Sequence, residues 1–188
     1  MKASATIGLR PFRSGLPVLN QTQHGIFEPH QMDFDHRDPS LKAFNLMTGR
    51  AMLMSTAKLL AEVAKCDVVC ANCHRRRTFE LRRAQQISAA QNATTKQLAR
   101  KRAHWRSHQD LINQLRSRPC ADCGEEHPPY VMDFDHRDAS KKIAAVSRLI
   151  GRAGRARILV EAEKCDVVCA NCHRMRTYRR REAASERE

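Results

Sequence analysis

The chain has 188 residues, a formal net charge of +14 and few large aromatic side chains, with one Trp, two Tyr and six Phe. This length allows one large domain or two small ones. A small domain with so few aromatics buries a thin core, which usually needs a metal or a disulfide for stability. No apolar run approaches the roughly 20 residues of a membrane span, and the N-terminus lacks the apolar core of a signal peptide. We therefore expect a cytoplasmic protein with no membrane partner, in which paired cysteines bind metal rather than form disulfides.

The positive charge is concentrated in the middle of the chain. Residues 79–118 contain nine Lys/Arg against two Asp/Glu, whereas residues 119–188 contain 14 against 12. A strongly basic segment indicates a polyanionic partner, and we expect DNA. Two weaker alternatives are an anionic membrane surface and an ordinary solvated surface without a partner.

The chain divides into an arm, two repeated modules, a linker and a tail. Residues 1–19 contain no acidic residue and are expected to form a disordered basic arm, with an Arg/Ser-rich transit peptide as the alternative. MDFDHRDPSLK at 32–42 matches MDFDHRDASKK at 132–142, and KCDVVCANCHRRRT at 65–78 matches KCDVVCANCHRMRT at 164–177. The duplication predicts a first module over 20–80 and a second over 117–180, followed by a charged tail over 181–188.

Both modules have the same predicted order of elements. VMDFDH alternates apolar and polar residues and is typical of a strand, and CDVV is a second, short β-branched strand. Between them we expect a helical insert, broken near Gly151 and Gly154 in the second module, and then a helix that ends in AEKC. A further helix begins in CHRMRTYRRR. The fold class is therefore α+β, in two small tandem copies.

A basic helical linker over 81–116 joins the modules. Thr94 or Thr95 can cap a helix through TKQLARKRAHWRSHQDLINQLRSR, where Leu98, Trp105 and Ile112 recur every seven residues. The other faces carry five basic side chains: Arg100, Lys101, Arg102, Arg106 and His108. We expect the apolar stripe to pack on the second module and the basic face to contact phosphates.

Two Cys-x-x-Cys pairs in the second module are the strongest motif of the sequence. Cys120 and Cys123 are separated by 45 residues from Cys169 and Cys172. Two-residue spacing lets both sulfurs of a pair bind one tetrahedral zinc ion. We expect a structural Zn²⁺ in a treble-clef arrangement, with a knuckle, a hairpin and a helix whose first turn holds the second pair. The alternative is a redox dithiol.

The first module retains only half of this motif. Cys70 and Cys73 remain, but Asn20 and Gln23 occupy the positions of the other pair, and neither residue is a good zinc ligand. We favour a metal-free relic. The alternative is a substitute metal site, for which the candidate additional ligands are His24, His30 and Cys66.

The repeated DFDHRD offers a second kind of site. A zinc ion saturated by four thiolates cannot bind a reactant, so chemistry needs an open position elsewhere. Asp135 and His136 end a predicted strand, and His173 begins a predicted helix; in a treble clef these two ends face each other. We expect Asp135 and His173 to hold a hard divalent cation, Mg²⁺ or another, while His136 is free to act as a base.

The combined motif resembles the HNH endonucleases, which have a ββα-metal finger. The resemblance covers 117–178 fully and 30–78 partially, and the residues that carry it are Cys120, Cys123, Asp135, His136, Cys169, Cys172 and His173. It implies that His136 is the general base that activates water and that Asp135 and His173 bind the catalytic metal. It also implies that the four cysteines bind a structural zinc, in a DNA-cleaving enzyme of a bacterial or phage-type cell interior.

One position departs from the HNH pattern. The family's middle Asn usually precedes the second cysteine pair, where this chain has EKCDVV, and Asn171 is the only Asn in 124–188. Asn171 either orients His136 by a hydrogen bond or favours the turn of the knuckle.

Several charged residues near the expected site have assigned roles. Arg174 and Arg176 follow His173 on its helix and are candidates for binding phosphate. Lys142 is a further phosphate candidate, and it is equally a solvated helix residue. Asp138 is expected to cap the helical insert or pair with Arg137 rather than bind metal.

The first module retains Asp35, His36 and His74, the catalytic set of a degenerate copy. We expect one active site, in the second module, with the first serving as a DNA-binding arm; the alternative is two active modules that each cut one strand. One rival function is a non-catalytic zinc module that binds nucleic acid, which has no need of the repeated DFDHRD. A second rival is a protein-interaction treble clef, which the charge and the scarcity of aromatics disfavour.

Overall fold

The structure, a computed structural model of the chain, describes residues 27–48, 51–89 and 96–186. The predicted arm over 1–19, the cap at Thr94 or Thr95, and the positions Asn20, Gln23 and His24 lie outside these ranges. No helix within them is long and apolar enough to cross a membrane.

The described chain is α+β, as predicted, and its elements recur in the order of the sequence repeat. They are β1 (Met32–His36), α1 (Thr56–Val63), β2 (Cys66–Cys70), α2 (Ala71–Ala89), α3 (Lys96–Arg116), β3 (Met132–His136), α4 (Val146–Leu149), α5 (Arg155–Ala162), β4 (Cys165–Cys169) and α6 (Ala170–Ser185). Strand β1 pairs with β2, and β3 pairs with β4. The repeated sequence blocks therefore form two small sheets of the same construction.

In the second repeat the hairpin leads directly into a helix. Strands β3 and β4 are antiparallel, with Asp135 opposite Asp166 in the register. Helix α6 begins at Ala170, immediately after β4, so Cys172 and His173 lie in its first turn. Because α6 packs against β3, its first turn lies near the strand that carries Asp135.

The helical insert between β3 and β4 is interrupted where the sequence predicts. Helix α4 ends at Leu149 and α5 begins at Arg155. Between them Gly151 has a φ of +71°, a left-handed conformation that a side chain would strain. Asp138 accepts a hydrogen bond from the Ser140 amide and so caps a short 3-10 turn at the start of the insert, which confirms the predicted cap.

Helix α3 packs on the insert, but only part of the predicted stripe does so. Ile112 is fully buried together with its neighbour Leu111, whereas Trp105 is 50% exposed. A seven-residue spacing drifts by about 20° per repeat on a straight α-helix, so Trp105 lies at the margin of the contact face, where a Cβ added at Gly151 would be 3.4 Å from its Cδ1. His108 contributes as well, since it is buried and its Nδ1 accepts a hydrogen bond from the Gly151 amide at 3.1 Å.

The described residues form two compact units whose limits differ from the predicted modules. Unit 1 contains 34–48 and 51–69, and unit 2 contains 27–33, 70–89 and 96–186. The start of β1 and the whole of α2 therefore belong to the same unit as the second repeat. The predicted boundary at residue 80 is not a division of the structure, because α2 continues through it to Ala89.

Unit 2 contains contacts that occur in reciprocal pairs, with the roles of the two repeats exchanged. The pairs are Arg174 to Asp33 and Arg75 to Asp133, the Asn171 amide to Asn72 and the Asn72 amide to Asn171, and the stacked rings of His30 on Tyr178 and Phe79 on Tyr130. Segments 27–33 and 70–79 thus pack on the second repeat as one half of a pseudo-symmetric pair. These contacts explain why residues 27–33 and 70–79 belong to unit 2.

Candidate functional site

Four cysteine side chains converge in unit 2. The Sγ atoms of Cys120, Cys123, Cys169 and Cys172 all lie within 4.8 Å of one another. Four thiolates at about 2.3 Å from a tetrahedral zinc ion would lie about 3.8 Å apart, so this donor set fits zinc. None of the eight cysteines, all of which are described, forms a disulfide. The two predicted pairs thus form one group that could bind a metal ion.

Hydrogen bonds link the sulfurs of this group, and they affect the individual thiols differently. The Cys169 amide donates to the Sγ of Cys120 at 3.2 Å. A hydrogen bond from Cys172 lowers the pKa of Cys169 to about 4 despite burial, Asn72 of the first repeat adds a second hydrogen bond, and the pKa of Cys172 is raised in turn. The knuckle closes at Gly124, whose φ is +74°. Burial raises the pKa of the Cys123 thiol to about 11, so without a metal the surroundings favour the thiolate at Cys169 but not at Cys123 or Cys172.

The described residues of the first repeat form no equivalent cluster. The described part of the chain holds no second group of close His, Cys, Asp or Glu ligands, although Cys70 and Cys73 lie within it. His30 stacks on Tyr178 at 4.0 Å, and Cys66 is fully buried with its thiol donating to a backbone carbonyl. The alternative of a substitute site through His30 or Cys66 is therefore not formed.

A cavity of about 330 Å³ lies beside α6 and the end of β3. Its polar lining includes carboxylates, imidazoles and cations: Asp133, Asp135, His136, His173, Arg116, Lys142 and Arg180. The three residues predicted to form the reactive site, Asp135, His136 and His173, are therefore brought together in one cavity. Lys142, a predicted phosphate ligand, lines it as well.

His136 is buried and held by a carboxylate. Its Nε2 lies 2.8 Å from Oε1 of Glu161, a residue only 2% exposed. Burial disfavours the ionised Glu161, but hydrogen bonds from Lys164, His136 and two backbone amides outweigh this and lower the pKa of Glu161 to about 2. Because an ionised carboxylate only accepts hydrogen bonds, a neutral His136 carries its proton on Nε2 and has its lone pair on Nδ1.

His173 lies between two aspartates of β3. Its Nδ1 is 2.9 Å from Oδ2 of Asp133, and its Nε2 is 3.5 Å from Oδ1 of Asp135. Burial disfavours ionisation of Asp133, yet hydrogen bonds from His173 and Arg75 lower the pKa of Asp133 to about 2. Asp133 is therefore a carboxylate, and a neutral His173 donates its Nδ1 proton to it. The Nε2 lone pair then faces the carboxylate of Asp135.

Asp135 is also paired with arginines. It is 4% exposed, Arg176 donates to it at 3.0 Å, and the half-exposed Arg180 donates to the same oxygen. Arg176 is in addition bound by Asp122 and Asp166; hydrogen bonding to Asp122 is the main cause that raises the pKa of Arg176. The N–H groups of Arg176 are thus directed to carboxylates, in contrast to the prediction that they hold a phosphate.

The other predicted nucleic-acid contacts fall into two groups. Arg174 donates to Asp33 and to the carbonyl of Met32, within the pseudo-symmetric contact, so it is not directed to phosphate as predicted. Arg100 and Arg106 are exposed on α3, as a phosphate-binding face requires, and the side chain of Arg102 lies outside the described part.

Asn171 has a different partner from the one considered in the sequence. It is buried, its amide donates to Oδ1 of Asn72, and its Oδ1 accepts from the Asn72 amide. His136 is oriented by Glu161 instead. The idea that Asn171 orients His136 is therefore wrong, because the side chain is used in the contact between the repeats.

The first repeat retains part of the same arrangement. In unit 1, Nε2 of His36 lies 2.8 Å from Glu62, which also accepts from Lys65. In unit 2, Nδ1 of His74 lies 2.9 Å from Asp33. Asp35 lies in β1 next to His36. The histidine–glutamate pair is thus common to both repeats and does not depend on the complete cysteine set.

Three residues of the site were not singled out from the sequence. Glu161 recurs as Glu62, always three residues before a lysine, and this repetition was an available signal. Asp133 lies two residues before Asp135, so the period of a strand places both on one face. Arg116 had no comparable signal; it lines the cavity, its guanidinium lies 5.1 Å from the ring centre of Phe134, and its Nε has no hydrogen-bond partner among the described residues.

Comparison with protein-family models, with curated proteins and with solved structures finds no match for this chain.

The buried glutamates make the stability of the fold pH-dependent. The pKa of Glu161 is about 2, below its ordinary 4.5, so the unfolded chain takes up a proton first as the pH falls. This contribution to the free energy of unfolding is complete above about pH 5 and is lost between the ordinary pKa and about pH 2. We expect the stability difference between the wild type and Glu161→Gln, measured by urea unfolding, to shrink across this range; because zinc-binding thiolates are also protonated there, the zinc content is measured at each pH.

Glu62→Gln provides a matched test in unit 1, which contains none of the four clustered cysteines. Hydrogen bonding to Lys65 is the main cause that lowers the pKa of Glu62 to about 2, so its difference from the wild type should shrink over the same range. If the difference in free energy of unfolding stayed constant between pH 6 and pH 3 for both variants, neither glutamate would have a lowered pKa in the folded protein.

Proposed function

We propose that the protein is a metal-dependent endonuclease of the HNH type, which hydrolyses phosphodiester bonds of DNA at a single site in the second repeat. The observation that carries the proposal is the cavity in which Asp135, His136 and His173 meet. A general base, a pair of hard-metal ligands and cationic side chains for a phosphate are the components that such a reaction needs.

His136 is the general base. Since Glu161 accepts the Nε2 proton, Nδ1 is the nitrogen that takes a proton from the attacking water. The ionised Glu161 then stabilises the imidazolium that results, and it holds the ring against rotation meanwhile. In this chain Glu161 performs the orienting role for which the HNH pattern uses its middle Asn.

Asp135 and His173 would hold the divalent cation. An aspartate oxygen and an imidazole nitrogen 3.5 Å apart, both presenting lone pairs, are a fitting set for Mg²⁺ or Mn²⁺. The ion would stabilise negative charge on the phosphate as the bond breaks. The half-exposed Arg180 is able to leave Asp135 and move to a phosphate oxygen instead.

The remaining cations would bind the substrate backbone. Arg116 and Lys142 line the cavity, and the unpartnered Nε–H of Arg116 is a donor suited to a phosphate oxygen. Arg100 and Arg106, which are exposed on α3, would provide further positive charge for contacts with the DNA backbone. These contacts are independent of base sequence, so we expect binding that weakens steeply with salt.

The four cysteines would hold a structural zinc that fixes the base of the site. The arrangement of a knuckle at Cys120, an antiparallel hairpin and a helix that begins at Ala170 is consistent with a treble-clef, ββα-metal finger. A zinc ion bound to Cys172 would fix the first turn of α6 and hence the neighbouring His173.

A zinc module that binds nucleic acid without cleaving it is the second candidate. The observation that favours it is the pairing of Asp135 with both Arg176 and Arg180, which a divalent cation must disturb. It shares the basic helix and the cysteine cluster with the first candidate.

Supercoiled plasmid distinguishes the two. Protein treated briefly with EDTA, so that the thiolate-bound zinc stays in place, is incubated with plasmid before and after addition of Mg²⁺ or Mn²⁺, and duplex binding is followed by fluorescence anisotropy at several salt concentrations. We expect metal-dependent nicking together with salt-sensitive binding. Salt-sensitive binding without nicking under either metal would support the non-catalytic module.

A further inference from the structure

The first repeat provides a side chain that reaches the candidate active site of the second. Arg75, in helix α2 of the first repeat, donates through Nη1 to the carbonyl of Val131 at 3.1 Å and through Nη2 to Oδ2 of Asp133 at 2.6 Å. The same Oδ2 lies 2.9 Å from Nδ1 of His173. A continuous chain of contacts therefore joins the first repeat to a proposed metal ligand.

We infer that Arg75 is a positioning residue for the nuclease site, holding Asp133 so that His173 keeps its proton on Nδ1 and presents Nε2 to the metal. This inference rests on the proposed function. It gives the first repeat a role that does not require its own catalysis: it is the built-in partner that completes the site of the second.

The geometry supports orientation rather than simple packing. Arg75 engages a backbone carbonyl and a carboxylate at once, so it fixes both the strand and the Asp133 side chain. Asp133 is 16% exposed, and its other cation, Arg116, lies farther away at 3.9 Å. Without Arg75, Asp133 loses its closest charged partner and can rotate away from His173. A histidine ligand whose second nitrogen lacks a fixed acceptor samples both tautomers and is a poorer metal ligand.

The pseudo-symmetric contact supplies a matched control. Arg174 donates to both oxygens of Asp33 at 2.7 Å, and Asp33 in turn contacts His74. Asp33→Asn therefore weakens the corresponding half of the same contact without touching Asp133 or His173. A general loosening of unit 2 should appear in Asp33→Asn as well as in Arg75→Ala, whereas loss of positioning should appear only in the latter.

The experiment combines NMR of the imidazole with plasmid nicking, on zinc-loaded full-length protein. Long-range ¹H–¹⁵N correlation at about pH 8, where an ordinary imidazole is neutral, reports which nitrogen of His173 carries the proton. We expect the wild type and Asp33→Asn to hold it on Nδ1, and Arg75→Ala to show a mixture or the Nε2 form. We also expect kcat for nicking to fall roughly 10- to 100-fold in Arg75→Ala without a change in KM. Arg75→Lys, which keeps the charge but not the two-point geometry, should lie between.

The NMR result decides the inference, and the nicking of the wild type decides the proposed function. If His173 keeps the Nδ1 proton in both Arg75 variants as firmly as in the wild type, the positioning role is overturned. It is also overturned if Asp33→Asn changes the tautomer as much as Arg75→Ala, or if the tautomer changes but kcat does not. If only the Arg75 variants changed the tautomer of His173 and even the wild type never nicked DNA, the role of Arg75 in orienting His173 would stand and the proposed nuclease function would be rejected.

Discussion

Replacement of Cys172 by Ala is expected to remove the bound zinc and unfold the second repeat. The hydrophobic cluster around the four cysteines is small, and two of its buried members are themselves proposed zinc ligands. These buried members are Cys120, Val131, Met132, Val167, Val168 and Cys169. A structural zinc contributes about 10–16 kcal/mol of apparent binding free energy in small zinc domains, so its loss should destabilise this part of the fold strongly. We expect the zinc content to fall from one ion per chain to none and the cooperative thermal transition to disappear, as followed by metal analysis and circular dichroism.

Cys73→Ala is the matched control, since Cys73 holds the same position in the first repeat. It belongs to no group of four close ligands among the described residues, so its replacement should leave the zinc content unchanged. Equal loss of zinc in both variants, or a Cys172→Ala protein that keeps both its zinc and its melting transition, would contradict the assignment of the cluster.

Asp135→Asn is expected to abolish cleavage while strengthening DNA binding. The substitution removes a proposed metal ligand, and loss of a supporting partner alone typically costs 10- to 100-fold, so the nicking rate should fall by roughly 100-fold or more. It also removes the negative charge that holds Arg180, which then becomes available to a phosphate, whereas Arg176 stays paired with Asp122 and Asp166. The Kd for duplex DNA should therefore decrease, and its dependence on salt should become steeper.

Asp166→Asn separates the two effects. Asp166 lies opposite Asp135 in the sheet and pairs with Arg176 at 2.9 Å, but it does not line the cavity. We expect this variant to bind DNA somewhat more tightly and to nick it at the wild-type rate. If both variants cleaved equally well, Asp135 would not be a metal ligand.

The secondary structure was largely predictable because the same strand-forming sequences occur in both repeats. MDFDH alternates apolar and polar residues, and CDVVC contains two β-branched valines. Both segments form strands in both repeats. The cysteine cluster was predictable for a different reason, since two-residue spacing constrains two sulfurs to one ion. Local pattern was sufficient in each case.

The partners of the site residues were harder to predict. Sequence placed His136 near a catalytic metal but did not indicate that Glu161 would hold its Nε2, since 25 residues separate them. Arg174 and Arg176 were predicted to bind phosphate because they follow His173 on its helix. In the structure they meet Asp33 and Asp122, which are distant in the chain. Pairings over such separations depend on how the repeats pack, which a single sequence does not specify.

The unit limits were missed for the same reason. A repeat in sequence suggests two separate modules, whereas here the reciprocal contacts place α2 of the first repeat in the unit of the second. The one available signal was that the contact residues occur at equivalent positions of both repeats, as Arg75 and Arg174 do, so that each repeat can make the same contact with the other.

Plasmid nicking by His136→Ala and His36→Ala, compared with the wild type under Mg²⁺ or Mn²⁺, tests the account most directly. Each histidine is paired with a buried glutamate at 2.8 Å, so the two substitutions are closely matched in their structural consequences. Loss of a general base typically lowers the rate by about 10²–10⁴-fold, and we predict this loss for His136→Ala alone, with DNA binding unchanged. Equal activity in the two variants, or loss only in His36→Ala, would contradict a single catalytic centre in the second repeat.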